Sequence, residues 1–332
     1  MARAQPERPT MRTMLLQGPG EPLVECEVAD PLATSPHESV IDVLGCGVCH
    51  SDLHVVDGHI GRTPIILGHE VVGMDAQLGP VMVYAPWGCR RPECRECSSG
   101  LEMICANSHE AGVLDNGGYA EKMLVPQRDY LIPLNGLDPF QVAPLACGGL
   151  TAFRAVRRAT SLWEPGRRAR ALVIGAGGLG QYAVQFLSRI ADAHVTVVDT
   201  LPARLDVARE LGADVTLSPD DVDGASYDSV IDFVGAEATL RSAVTSVRRG
   251  GVVVLVGMFG GTIPFGLGRL PSETWLTTSI WGSPADLRAL LDLARREPLR
   301  HVVEHLPLNE ANRAHELLRS GQSRGRIVLT VA

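Results

Sequence analysis

Lysine is almost missing from the 332-residue chain: of 30 basic residues only Lys122 is a lysine, and the arginines form no basic block. Acidic residues number 38, so the net charge is −8, which argues against a nucleic-acid partner. No apolar run approaches the roughly 18–20 residues that span a bilayer, so no membrane segment is expected. From Met1 to Met14 the chain carries Arg3, Glu7 and two prolines where a secretory leader would have an apolar core, and a cytoplasmic protein is expected. Internal repeats and low-complexity tracts are also lacking, since the 35 glycines and 22 prolines are spread along the chain. What remains is a globular composition, 45% hydrophobic and 20% charged, at a length that suits two domains.

Up to about Leu145 the sequence reads as short β-rich pieces separated by Gly and Pro, such as Ser39 to Leu44, Ile65 to Leu67, Val81 to Tyr84 and Ala120 to Val125. After Thr151 strands and helices alternate. Strands are expected at Ala171 to Ile174, Val195 to Val198, Ser229 to Phe233, Val252 to Val256 and Ser279 to Trp281. Helices are expected at Leu179 to Ile190, Pro202 to Leu211 and Ala238 to Arg248, the rhythm of βαβ units on a parallel sheet. Beyond Ala285 come a helix, the strand His301 to His305, a second helix and the strand Arg326 to Thr330, with the last strands expected to return to the first domain.

The segment Gly175-Ala176-Gly177-Gly178-Leu179-Gly180 follows an apolar strand and opens an amphipathic helix, the context in which G-x-G-x-x-G binds a dinucleotide. Gly175 permits the tight turn, Gly177 lets the backbone approach a pyrophosphate, and Gly180 lets helix and strand pack closely. Asp199 closes the next strand. An acid there accepts from the ribose hydroxyls and repels a 2′-phosphate, which favours NAD over NADP.

Eight cysteines are present, and four crowd into Cys89-x4-Cys94-x2-Cys97-x7-Cys105, too close together to cross-link distant loops. Four thiolates satisfy tetrahedral zinc and leave no open position, so this set is read as structural. A second, scattered set lies in Cys49-His50-Ser51-Asp52-Leu53-His54, Gly68-His69-Glu70 and Cys147-Gly148-Gly149-Leu150-Thr151. Each piece alone is poor evidence, since a single His is more often a hydrogen-bonded core or surface residue and a single Cys a small hydrophobe. Together they offer two thiolates and one imidazole, which leave zinc a fourth position for water or substrate.

In this combination the chain resembles the zinc-dependent alcohol dehydrogenases of the medium-chain dehydrogenase/reductase superfamily, from about Met11 to the C-terminus. The resemblance implies an α/β two-domain fold: a GroES-like, partly open β-barrel catalytic domain over 1–147 and 285–332, with a zinc lobe near 87–106, and a Rossmann doubly wound parallel sheet over 148–284. It implies two zincs per chain and NAD. Cys49, His69 and Cys147 would hold the catalytic zinc, with Glu70 as a supporting carboxylate or alternate ligand and Asp52 behind the ligands. His50 and Arg326 would meet the cofactor phosphates, Arg204 the adenosine ribose and Thr151 the nicotinamide, beside the loop Gly175, Gly177, Gly178, Leu179 and Gly180. Ile60, Trp87, Leu114, Met258 and Ile280 would line an apolar substrate pocket, although packing alone would also explain apolar residues there.

The chemistry implied is hydride transfer between an alcohol, secondary or aromatic favoured, and its ketone or aldehyde. Ser51 would accept the substrate proton, the cofactor ribose would relay it and His54 would deliver it to water. The rival readings are a polyol-type dehydrogenase or biosynthetic reductase on the same scaffold, and a zinc- and dinucleotide-binding sensor without turnover. A homodimer or homotetramer is expected, with the contact near Val252 to Gly257 and Ile263 to Leu270. Two departures stand out. The first gap in the cysteine lobe is four residues where two are usual, and the segment 71–83 is short, with Leu78-Gly79-Pro80 as its expected turn.

Overall fold

The computed structural model describes residues 8–222, 224 and 226–331. Two units emerge. One consists of the chain up to Cys147, Ser283–Arg296 and everything from His301 onward; the other consists of Gly148–Gly282 with Glu297–Arg300.

The first unit is organised around the long strand Ser39–Val48. On one side it pairs antiparallel with Glu70–Asp75, which continues to Gly79–Val83 and Leu131–Pro133. On the other, its early residues take Lys122–Val125 and its last four take Arg326–Thr330, next to which lies Val303–Pro307. The C-terminal strand therefore does return to the first unit. A smaller sheet of Val24–Ala29, Thr10–Leu16 and Ile65–Ile66 and the ribbon Pro86–Trp87 with His109–Glu110 complete it.

The shortened hairpin turns two residues earlier than the glycine and proline suggest. Asp75 Oδ1 accepts from the backbone N–H groups of Gln77 and Leu78, both at 2.9 Å, and so caps a turn over Ala76–Leu78. Gly79 then enters the returning strand at φ 75°, and Pro80 follows it there.

The second unit carries six parallel strands in the order Val215–Leu217, His194–Val198, Arg170–Ile174, Tyr227–Asp232, Val247–Leu255, Trp275–Thr278. This is the doubly wound order whose cofactor crevice opens where the chain reverses direction, between Arg170–Ile174 and Tyr227–Asp232. Leu172, Ile174, Val198, Val230, Ala243 and Val253 are buried together, which explains why these strands read as continuous apolar runs. The last strand is Trp275–Thr278 rather than Ser279 to Trp281. Its register against Val252–Leu255 ends at Thr278, only the Ser279 N–H continues the ladder, and Trp281 takes φ 49°. Among the described residues no helix is long and apolar enough to cross a membrane.

Candidate functional site

Strand Ser39–Val48 ends at Cys49, which caps the short helix His50–Val56. Asp52 turns back to accept from the Cys49 backbone N–H at 2.8 Å, fixing the first turn. Ser51 Oγ thereby lies 3.7 Å from Cys49 Sγ. His54, three residues on and on the same helical face, is half-buried, as is Ser51, whereas His50 is exposed.

The donor atoms of Cys49, His69, Glu70 and Cys147 all lie within 4.8 Å of one another, and all four residues are buried. Tetrahedral zinc with bonds of about 2.3 Å to sulfur requires thiolates about 3.8 Å apart. Cys49 and Cys147 are 4.0 Å apart, so the donor set fits zinc. The Cys147 thiol hydrogen-bonds Cys49 and holds it well below the usual thiol range against the opposing effect of burial, while the same contact and burial hold Cys147 high. One thiolate is thus ready and the second is formed when its proton is displaced. His69 Nδ1 lies 3.3 Å from Asp52 Oδ1, close enough for the carboxylate to orient the imidazole.

Two glycines of the motif have steric reasons. Gly47 pairs with Glu70 across the sheet, and a Cβ on it would sit 2.0 Å from Glu70 Oε2. Its bareness lets the Glu70 carboxylate reach Arg326, whose guanidinium donates to Oε1 at 2.5 Å and to the Val48 carbonyl at 3.4 Å. Burial still pushes Glu70 up to about 7, despite Arg326. Arg326, expected at a cofactor phosphate, is itself buried in this pairing. Gly68 adopts φ 93°, and a Cβ on it would meet the Tyr119 ring at 2.4 Å.

The lobe brings all four of its cysteines together, Cys89 included. Cys89 and Cys97 are 3.9 Å apart and Cys94 and Cys105 3.7 Å, again the separations of tetrahedral thiolates. The longer first gap is taken up by Arg90, at φ 50°. Burial opposes ionisation of Cys105, but backbone N–H groups of Cys89 and Asn107 bring its thiol down to about 7.

In the second unit the three loop glycines differ in what a side chain would meet. Gly175 has φ 91°; a Cβ on Gly177 would meet nothing within 4 Å; one on Gly180 would sit 1.9 Å from the Gly175 carbonyl oxygen. Turn, open approach and close packing are thus separate requirements. Gly178 and Leu179 lie half-buried between them, with Leu179 capping the helix Gly180–Arg189. Asp199 anchors this loop: Oδ2 accepts from Ala176 N–H at 2.8 Å and Oδ1 from Leu201 N–H at 2.9 Å, with Arg204 3.7 Å away. Thr151 is buried in the helix Gly148–Thr160.

Four of the expected pocket residues are not core. Ile60 is 38% exposed, Leu114 37%, Met258 55% and Ile280 48%, whereas Trp87 is buried. Trp87 also borders a cavity of about 420 Å³ with Arg62, Ile66, His109 and Lys122.

The "Alcohol dehydrogenase GroES-like domain" family matches residues 35–136, and the "Zinc-binding dehydrogenase" family matches 178–296. An NAD-dependent alcohol dehydrogenase of Sulfolobus acidocaldarius is 34% identical over 97% of this chain and 100% of its own length. The chain belongs to the zinc-type medium-chain alcohol dehydrogenases. Among solved members of this family, the alcohol dehydrogenase of Aeropyrum pernix superposes with a TM-score of 0.87 at 31% identity, covering 96% of this chain and 99% of that one. The family is broad in chemistry: a D-arabinose 1-dehydrogenase (NADP(+)) of Saccharolobus solfataricus is 33% identical over 96% of this chain and 97% of its own.

For this member of the alcohol dehydrogenase family, sequence reasoning overlooked Tyr119 and His315. The Tyr119 hydroxyl donates to Asp52 Oδ2 at 3.1 Å, and His315 Nε2 lies 3.4 Å from the same hydroxyl. No local spacing announces either residue, because their partners are far away in the chain.

Proposed function

We propose that this chain catalyses the NAD-linked interconversion of an alcohol and its ketone or aldehyde. The observation that carries this is the buried Cys49, His69 and Cys147 set closing around one point, with Ser51 beside Cys49. Cys49, His69 and Cys147 hold a catalytic zinc, Glu70 stands behind them on Arg326, and Cys89, Cys94, Cys97 and Cys105 hold a second, structural zinc. When bound, zinc supplies Lewis-acid polarisation of the substrate oxygen, and NAD supplies the hydride acceptor. Ser51 Oγ would accept the alcohol proton as its own hydroxyl proton passes on, and His54, on the same face and half-buried, would be the exit to water. Asp52 keeps His69 oriented. Gly175 to Gly180 receive the pyrophosphate, with exposed His50 as a further phosphate contact, and Thr151 packs on the nicotinamide; Arg326, buried against Glu70, serves that carboxylate instead.

Asp199 selects NAD. The NADP-linked relative shows that membership alone does not decide this, whereas a carboxylate at the strand end opposes a 2′-phosphate directly. The exposed apolar side chains of Ile60, Leu114, Met258 and Ile280, with Trp87, favour a secondary or aromatic alcohol over a polyol.

The chain assembles as a homodimer or homotetramer. Trp275–Thr278 is an edge strand whose Trp275 is 63% exposed, and in the 263–270 stretch Phe265 is 79% and Leu267 fully exposed, apolar surface that a subunit contact would cover. The two thiol clusters suit a reducing compartment such as the cytoplasm. The test is NAD and NADP reduction across primary, secondary, aromatic and polyol substrates. NAD reduction with secondary or aromatic alcohols is expected; turnover of none of them would favour a non-catalytic sensor.

A further inference from the structure

We propose that Tyr119 and His315 are positioning residues that act on the catalytic metal site through Asp52. The inference rests on the reading above that His69 is a zinc ligand.

Asp52 is wholly buried, and its two oxygens have separate tasks. Oδ2 accepts from the Cys49 N–H and the Tyr119 hydroxyl, while Oδ1 faces His69 Nδ1. A carboxylate held by two donors on one oxygen has a fixed plane, and that plane sets the imidazole it faces. Because the carboxylate can only accept, Tyr119 is the donor in this contact. Its oxygen therefore accepts from His315, which requires the hydrogen of His315 on Nε2. Burial holds His315 below its usual range and so keeps it neutral.

The frame on both sides is tied down by backbone hydrogen bonds and an ion pair. Tyr119 is itself wholly buried, with its N–H on the Leu67 carbonyl at 2.9 Å, its carbonyl accepting from Met14 N–H at 2.9 Å, and its ring against bare Gly68, the residue before His69. His315 sits on the helix Ala311–Arg319, and Arg319 of that helix forms a two-pronged pair with Asp57 at 2.8 and 3.1 Å. Asp57 caps the end of the helix that begins at Cys49. The chain His315, Tyr119, Asp52, His69 therefore starts on a helix that is itself tied to the short helix carrying Asp52. Phe and Leu would fill the same space without burying a phenol and an imidazole, so the polar groups need a role beyond packing.

The test is zinc release from the full-length protein to a chromophoric chelator, comparing wild type, Tyr119→Phe, His315→Leu and the double variant. Cys97→Ser identifies the phase that belongs to the cysteine lobe. Replacing a group in direct contact with a ligating His commonly costs 10–100-fold in affinity, and Tyr119 stands one step further out. Tyr119→Phe is expected to speed release from the catalytic site about three- to tenfold and leave the lobe phase unchanged. His315→Leu is expected to have a smaller effect in the same phase and no further effect in the Tyr119→Phe background. Unchanged release in Tyr119→Phe, equal acceleration of both phases, or independent effects of the two substitutions would overturn the proposal. A wild-type protein that holds zinc only in the lobe would overturn the metal reading instead.

Discussion

Replacing Asp199 with glycine tests the cofactor assignment at the residue that makes it. The carboxylate is nearly buried, and its oxygens already accept from the Ala176 and Leu201 N–H groups. Hydrogen bonds to a charged group contribute about 1.5–3 kcal/mol, so loss of the ribose acceptor is expected to weaken NADH binding about 10–100-fold. NADPH responds differently: the substitution also removes a negative charge from the site of the 2′-phosphate and releases Arg204, now 3.7 Å from Asp199. The NADH to NADPH affinity ratio should therefore fall by more than the NADH loss alone. Because Asp199 also anchors the loop, Asp199→Asn, which keeps one side-chain acceptor, separates loop loosening from lost recognition. Fluorescence titration with both reduced cofactors reads the ratio directly. A wild-type preference for NADPH, or an unchanged ratio in Asp199→Gly, would refute the reasoning.

Other substitutions follow from the same geometry. Gly180→Ala places a Cβ 1.9 Å from a backbone oxygen that cannot swing away, so a loss of about 3 kcal/mol and weakened NADH binding are expected from chemical denaturation and titration. Asp228, buried between Arg167 and Arg248, is held down to about 2 because those guanidiniums and the Arg170 N–H outweigh the effect of burial. Its folded value lies below the unfolded one, so its stabilisation is present above about pH 4 and disappears as pH falls through 2. With both arginines partly solvated, Asp228→Asn should cost about 1 kcal/mol at pH 7, and that cost should shrink toward pH 2 in acid denaturation curves. Trp275→Arg should yield a smaller assembly by light scattering if the exposed edge strand is a subunit contact.

The parts of this site that were legible in the sequence are those whose chemistry is local. Four cysteines in one loop, a glycine-rich turn after an apolar strand, and Cys49 followed by Ser51 and His54 each declare their chemistry within a few residues. Parallel strands in the second unit were legible for the same reason, as continuous apolar runs. Pairings across the chain were not. Arg326 reaches Glu70 because the C-terminal strand lies beside Ser39–Val48, and only that register shows why Gly47 must be bare. Tyr119 and His315 belong to this class too. The short hairpin was misjudged because Gly and Pro marked its turn by composition, whereas Asp75 fixed it by hydrogen bonding. The final strand of the parallel sheet was displaced because its edge position leaves Trp275 and Leu276 exposed, and no burial pattern marks them.

The central claim is that Cys49, and not its neighbour Cys46, is a ligand of a catalytic zinc. Cys46 is wholly buried in the strand, its thiol 3.6 Å from the Gly47 carbonyl oxygen and pushed well up by burial, and it lies outside the donor set. Zinc per chain, measured together with NAD-linked alcohol turnover in Cys46→Ala and Cys49→Ala, tests this most directly. Two zincs and retained turnover are expected in Cys46→Ala, with one zinc and no turnover in Cys49→Ala. Two zincs and turnover in Cys49→Ala, with one zinc and no turnover in Cys46→Ala, would contradict the assignment of the whole motif.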